Sequence, residues 1–396
     1  MCRKLSVSKI ATLFLRPQAQ FNLKAFLFFI FAVLRFFNLC VACCFKLRLV
    51  FFGQLNISLC IGFEKYGKCC VIHFDSPHKV YDLQTFSFLS LHFKRAELDF
   101  LFEGDEGTPI GHEATGVITE LGPAATCKGL KVGDRVVYYY NEHCGSCYYC
   151  RNGQEQFCEN MTGTSAAFSD YIVVREQSVH KLADTCSLKK GALIEPISVC
   201  LHGIDLIGIK PGQSVAISGG GTMGMIMTQL ALHSGGTNIT VIEPIAMKRE
   251  MAKMLGAEYV IDPVGQDRKE EALKITDGRG FDVVIEASGS WRACDGIEEL
   301  VGKGGTLEFF AALYRHDYDY KLNLLNAFFK EIRIVGGVFQ SPYAFPRSIA
   351  LVNTLDLDPI LEMDCVFTPE AFEDAFEAQM NGRTIKSLVQ FTPDVE

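Results

Sequence analysis

The sequence predicts an α/β protein in which a β-rich lobe precedes a doubly wound parallel sheet, and three observations predict it. Residues 214–243 run strand, glycine turn, helix, strand. Beyond residue 243, short apolar strands alternate with helical stretches, as in a parallel sheet covered on both faces. Before residue 214 the apolar runs are short and strand-like, and four cysteines cluster in one loop. The 396 residues suit two lobes, and a hydrophobic content of 48% is ample for two cores.

Charge and cysteine are unevenly spread. Eight of the 38 Lys and Arg fall in residues 1–63 and none of the 46 Asp and Glu, so the remainder carries a net charge of −16. An acidic body gives no support for nucleic-acid binding. Seven of the 16 cysteines lie in the first 70 residues, and the others are mostly scattered apart from one tight cluster. That usage suggests a reducing, cytoplasmic compartment and metal thiolates rather than a disulfide framework.

Residues 25–45, AFLFFIFAVLRFFNLCVACCF, are about long enough to cross a bilayer, with Arg35 in the middle. Arg3, Lys4, Lys9, Arg16 and Lys24 precede the run, which keeps the N-terminus cytoplasmic and sends the body to the other side. A nucleotide cofactor and reduced thiolates do not belong there. Residues 1–67 are therefore expected to be an aberrant apolar, basic extension outside the folded protein, arising from mistranslated non-coding sequence or a faulty gene model. The alternative is a membrane anchor through 25–45. From Lys68 the pattern changes, and Cys69–Phe74 and Lys79–Leu83 read as two short strands opening the β-rich lobe.

Gly111-His112-Glu113-Ala114-Thr115-Gly116 runs into Val117-Ile118-Thr119-Glu120-Leu121-Gly122, a short strand bounded by glycines. A neutral imidazole beside a carboxylate can hold zinc and leave a coordination position open. The alternative is a plain surface His–Glu pair. Lys131–Val137 then reads as a turn into a strand. Cys144, Cys147, Cys150 and Cys158 follow as C-x2-C-x2-C-x7-C, with Gly145 and Gly153 supplying turns. Four thiolates at this spacing close a tetrahedron around one zinc ion, and such a closed site is structural. Disulfides or an iron–sulfur cluster are the alternatives.

In the nucleotide stretch, Val215–Ile217 is a buried strand, Gly219-Gly220-Gly221-Thr222-Met223-Gly224 is the turn, and Met225–His233 is a helix. Ile239–Ile242 is the next strand and ends at Glu243. Gly219 permits the tight turn, Gly221 lets backbone approach a pyrophosphate, and Gly224 lets helix and strand pack closely. The helix N-terminus then offers N–H groups to the phosphates. Glu243 can bond both hydroxyls of an adenosine ribose and repels a 2′-phosphate, which favours NAD over NADP. Lys248 and Arg249 follow closely and soften that exclusion.

Lys248–Leu255 reads as a helix ended by Gly256, and Tyr259–Asp262 as the next strand. Phe281–Glu286, Gly304–Phe309 and Ile332–Gly336 complete a six-stranded sheet, with Ala287-Ser288-Gly289 turning at the ligand-binding edge.

Together these motifs resemble the zinc-containing medium-chain dehydrogenase/reductase family, most closely its polyol and threonine dehydrogenase branch. The family signature GHE-x2-G-x5-G stands here as Gly111-His112-Glu113, Gly116 and Gly122, and the zinc lobe as the four cysteines. Ala167–Tyr171 resembles the family's GxFAEY strand and Ala192–Pro196 its ALxEP stretch. The resemblance implies a GroES-like β-barrel catalytic domain over 68–200, with the structural zinc lobe at 141–160. It implies a Rossmann NAD-binding domain over 201–339 and a return to the catalytic domain over 340–396. It also implies a homo-oligomer, dimer or tetramer, and a small-molecule alcohol or ketone substrate. A second, catalytic zinc falls to His112, with Glu113 as direct or indirect ligand and Glu195 as the nearby carboxylate. Glu195 has its own reason to want a cation, since it sits in an apolar stretch, although a helix-start carboxylate reads the same way.

One departure stands out. Where the family's CGxD loop belongs, this chain reads Phe93-Lys94-Arg95-Ala96-Glu97-Leu98-Asp99, and no cysteine occurs between Cys70 and Cys127. Either Cys69, Cys70 or Asp99 substitutes, or catalytic zinc is not properly held. Cys200 lies in an apolar helix and reads as a core thiol. The expected function is zinc-dependent hydride transfer between a secondary alcohol and NAD. The alternatives are an inactive nucleotide-binding relative, and a zinc-independent reductase of the same superfamily, against which His112, Glu113 and Glu195 argue.

Overall fold

The computed structural model describes residues 111–122, 129–163, 165–312, 319–337, 340–362 and 364–392, with four strands before them. The chain divides into two units, Met1–Pro77 and His78–Glu396. In the first, β1 (Leu47–Phe52), β2 (Asn56–Phe63) and β3 (Lys68–His73) form an antiparallel sheet in that order. The strand expected to open the β-rich lobe is thus β3, and it pairs with β2 from Ser58↔His73 to Phe63↔Lys68. The apolar run at 25–45 and the stretch Phe93–Asp99 lie outside the described residues. Among the described residues, no helix is long and apolar enough to cross a membrane.

The second unit opens with β4 (Tyr81–Phe88), β5 (Glu113–Glu120) and β6 (Arg135–Tyr138). A two-stranded ribbon, β7 (Asn141–Glu142) with β8 (Thr162–Gly163), frames the cysteine loop. β9 (Tyr171–Val174) and β10 (Val179–Lys181) follow. Tyr171 and Val173 face out while Ile172 and Val174 face in, the period-2 alternation of a strand with one face on the core.

Helix α1 (Ile194–Ile207) leaves this lobe. Pro196 lies in its first turn, where a missing N–H costs nothing. Gly208, at φ +70°, ends it in the left-handed conformation and donates to the Ile204 carbonyl. Next come β11 (Ser214–Ser218), α2 (Thr222–His233), β12 (Thr237–Ile242), α3 (Ala246–Met254) and β13 (Tyr259–Ile261). Helix α4 (Arg268–Ile275), β14 (Phe281–Glu286), β15 (Val301–Phe309), α5 (Leu324–Lys330) and β16 (Arg333–Gly336) complete the layer. All six strands are parallel, in the order β13-β12-β11-β14-β15-β16. Every residue of the central strand β11 is buried, as expected for a parallel strand covered on both faces. The sheet expected from the sequence is present with its six strands.

The chain then returns. After α6 (Ala344–Leu351) come β17 (Val366–Phe367), α7 (Phe372–Met380) and β18 (Leu388–Gln390). β18 pairs antiparallel with β4, giving a seven-stranded sheet in the order β10-β6-β5-β4-β18-β17 with β9 on β4. One hydrophobic core joins the lobes: Val137 and Leu188 pack in the same cluster as Ile194 and Ile197 of α1 and Val215, Ile217 and Ile226 of the parallel layer. Helix α1 is therefore the shared wall between the two sheets.

Candidate functional site

The glycine turn sits at the C-terminal edge of the parallel sheet, where such sheets bind ligands. Gly219 has φ +115°, a conformation that suits glycine. At Gly224 an added Cβ would lie 1.9 Å from the Gly219 carbonyl oxygen, so helix and turn touch backbone to backbone. At Gly221 an added Cβ meets no protein atom within 4 Å, which leaves open space above the turn. Gly221 caps α2 without a side chain, so the first N–H groups of the helix stay available for an anion. Thr222 Oγ1 donates to the Ile385 carbonyl at 2.8 Å and ties the helix start to the return segment, while Met223 is buried.

Glu243 is buried, and both its oxygens are engaged. Oε2 accepts from Gly220 N at 2.7 Å and Oε1 from Ile245 N at 2.9 Å. Arg249 donates to the Glu243 and Pro244 carbonyls and pairs with Asp262 at 3.2 Å. Its guanidinium is thus committed to protein acceptors. Lys248 is half-buried and runs past Gly382.

In the cysteine loop, one sulfur from each of Cys144, Cys147, Cys150 and Cys158 lies within 4.8 Å of every other. Cys144 and Cys150 are 4.0 Å apart, and all four are free thiols. Sulfurs placed about 2.3 Å from one tetrahedral zinc would be separated by about 3.8 Å, so the donor set fits a single ion. Backbone N–H groups of Ser146 and Cys147 point at Cys144 Sγ, at 3.5 and 3.3 Å, and that of Cys144 points at Cys158 Sγ at 3.3 Å. The Ser146 hydroxyl and these N–H groups pull the Cys144 thiol down to about 5. Burial pushes Cys150 up to about 12 in the absence of metal charge.

The second cluster is His112, Glu113 and Glu195, whose ligand atoms also lie within 4.8 Å of one another. Gly111 at φ +93° turns the chain against Phe168 immediately before His112. His112 Nε2 is 4.0 Å from Glu195 Oε1. The His112 side chain lies among protein atoms yet keeps 37% of its surface open. Burial lowers its pKa, so the imidazole stays neutral with a lone pair to give. Burial holds the Glu195 carboxyl well above the usual range, with the Glu113 charge adding to the effect. Glu113 is met by the ammonium of Lys386, the two side chains buried together. Two carboxylates facing one ammonium and a neutral imidazole leave room for one further cation. The donor types and spacing fit zinc.

Two members of this site went unseen in the sequence. Lys386 sits between Ile385 and Ser387 in a mixed polar and apolar approach to β18, and nothing in that stretch marks it as buried. Tyr140 packs its ring on His112, with centroids 4.6 Å apart, and nothing in the run Tyr138-Tyr139-Tyr140 marks which tyrosine does so. Cys200 is fully buried, with its thiol 3.6 Å from the Met223 carbonyl, and is not part of the cluster.

Known proteins are similar to this chain in sequence and in fold. Residues 93–184 match the alcohol dehydrogenase GroES-like domain family, and residues 222–354 match the zinc-binding dehydrogenase family. The L-threonine 3-dehydrogenase of Pyrococcus horikoshii is 33% identical over 285 residues, covering 70% of this chain and 80% of that protein. The sorbitol dehydrogenase of Halalkalibacterium halodurans is 31% identical over 71% of this chain and 82% of its own length. Among solved structures, a Sinorhizobium meliloti protein described as a zinc-binding dehydrogenase and bound to NADP superposes with a TM-score of 0.70 at 25% identity. The match covers 85% of this chain and 100% of that one. With a GroES-like lobe, a six-stranded nucleotide-type sheet and these relatives, the chain belongs to the zinc-containing medium-chain alcohol dehydrogenase family.

Proposed function

We propose that the chain catalyses hydride transfer between a secondary alcohol, of the polyol or amino-alcohol class, and NAD at a zinc site built on His112, Glu113 and Glu195. The observation that carries this is the 4.0 Å approach of His112 Nε2 to Glu195 Oε1 with Glu113 beside them. Zinc held there would supply Lewis-acid polarisation of the substrate oxygen, and a bound nicotinamide would take the hydride. The chain's own residues do the rest. His112 offers its lone pair, Glu195 would yield its proton to a bound cation and meet it from a dry wall, and Lys386 neutralises Glu113 so that the pair does not repel substrate oxygen. Gly219–Gly224 and the start of α2 hold the pyrophosphate.

The preference for NAD over NADP rests on Glu243, whose buried carboxylate opposes a 2′-phosphate, and on Arg249 being held by protein acceptors. Lys248 lines the adenosine side. The four cysteines hold a second, structural zinc. The catalytic lobe is assigned to 78–200 with 340–396, and the nucleotide lobe to 201–339. The free thiols support a cytoplasmic location. A homo-oligomer is supported by Leu324, Leu325, Phe328 and Phe329 of α5, all strongly exposed beside the edge strand β16.

A second reading is a nucleotide-binding relative without turnover. The absence of any cysteine between Cys70 and Cys127 favours it, because the family's first thiolate ligand is then missing. One experiment separates the two: zinc content per chain together with NADH formation from threonine, sorbitol and simple secondary alcohols. Two zinc ions with turnover, lost by about 10³-fold in His112→Ala, support the enzyme. One zinc and no turnover with any alcohol support the relative.

A further inference from the structure

We propose that Gln340 is a positioning residue that sets the spacing between His112 and Glu195; the proposal rests on the metal-site reading above. Two segments of chain converge on Gln340. Its main-chain oxygen accepts from the Tyr139 hydroxyl at 3.5 Å, and Tyr139 is the neighbour of Tyr140, whose ring lies on His112. Its carboxamide hydrogen-bonds the Ser198 hydroxyl, and that hydroxyl lies 2.6 Å from the main-chain oxygen of Glu195. Ser198 follows Glu195 by three residues in α1, so the two share one face of the helix. Gln340 and Ser198 are both fully buried. One residue thus ties the segment after β6 that carries the partner of His112, through its main chain, to the helical turn that carries Glu195, through its side chain.

The Ser198 hydroxyl carries one proton and faces two acceptors, the Gln340 carboxamide oxygen and the Glu195 carbonyl. Gln340 Nε2 has no partner among the described residues. The tether therefore needs a carboxamide at position 340 and a hydroxyl at position 198.

The test uses full-length protein with the four-cysteine site filled with zinc, titrated with cobalt(II) and followed by its visible absorption. Gln340→Met, close in volume but with no carboxamide, and Ser198→Ala are each expected to weaken the second metal by about 10–100-fold, the usual effect of removing support behind a ligand. Their combination is expected to be no worse than either alone, because both cut one tether. NADH affinity and the first metal stay unchanged. Unchanged cobalt affinity in both variants, or additive losses in the double variant, overturns the tether. Loss of both metals and of NADH binding together marks a general structural role and also overturns it. A wild-type chain that takes up no second metal ends the underlying reading instead, a result distinct from wild-type uptake that the variants leave intact.

Discussion

Lys386 donates its ammonium to the Glu113 carboxylate, and only 2% of either side chain reaches solvent. The contact spans the two ends of the second unit, since Glu113 opens β5 and Lys386 approaches β18. Two residues before it, Thr384 is buried, and one residue before it the Ile385 carbonyl accepts from Thr222 at the start of α2. The nucleotide turn and the proposed metal site are thus joined through one short stretch of the return segment.

Removing one member of a buried ion pair leaves an uncompensated charge. Lys386→Met is expected to destabilise the second unit by about 3–5 kcal/mol, and the Lys386→Met, Glu113→Gln double variant to recover most of that loss. Denaturant unfolding of the four proteins in the cycle checks this. Equal losses in the single and double variants would count against the pair.

The cysteine loop has little apolar packing of its own, with Tyr149 and Met161 lying against the cysteines. Its order is expected to come from the metal. Cys150→Ser should lower zinc by one ion per chain and expose residues 141–160 to protease, while NADH binding persists. Because Cys150 is pushed up to about 12 without metal, refilling the emptied loop must release protons, and zinc affinity should fall as pH drops. Affinity that is flat between pH 6 and 8 would contradict this.

The glycine turn allows two alanine substitutions with different expected outcomes. Gly224→Ala places a Cβ 1.9 Å from the Gly219 oxygen, so the turn must open and thermal stability must fall even without cofactor. Gly221→Ala meets no protein atom within 4 Å, so the free protein should melt like wild type. Its NADH affinity should nevertheless drop by about tenfold or more, because the space belongs to the pyrophosphate. Melting curves and NADH fluorescence titrations distinguish these outcomes.

Glu308 is fully buried on β15, and neither carboxylate oxygen has a hydrogen-bond partner among the described residues. Burial raises it from 4.5 to about 8. Between those values the folded state holds a proton that the unfolded state has released, so stability is greatest below 4.5 and is lost as pH rises towards 8. The slope is at most about 1.4 kcal/mol per pH unit. Glu308→Gln removes the titration, so wild type should lose stability relative to the variant across that window. Melting temperatures that run parallel from pH 5 to 8 would refute it.

Much of this was legible in the chain because it depends on local backbone demands. A tight turn between strand and helix needs glycines at Gly219, Gly221 and Gly224, and a tetrahedral thiolate site needs its cysteines within one loop. Both are short-range constraints, and both appear as spacing. The inner strands of the six-stranded sheet were readable for the same reason, since parallel strands buried on both faces must be continuous apolar runs, whereas the edge strand β16 is mostly exposed.

Less local features were not readable. The strand at 68–73 was legible, but its pairing with β2 was not, because strand alternation names a buried face and not a partner.

By itself, then, the sequence determined the α/β class, the nucleotide turn, the four-cysteine loop and the candidacy of His112, Glu113 and Glu195. Tertiary structure alone decided that Lys386 neutralises Glu113, that Tyr140 packs on His112, and that Gln340 bridges to Ser198. The physical reason is sequence distance. These contacts join residues 28 to 273 positions apart, and only the closing of β18 onto β4 brings the last of them together. A lysine in a loop gives no sign of its counter-ion until the fold removes water from both.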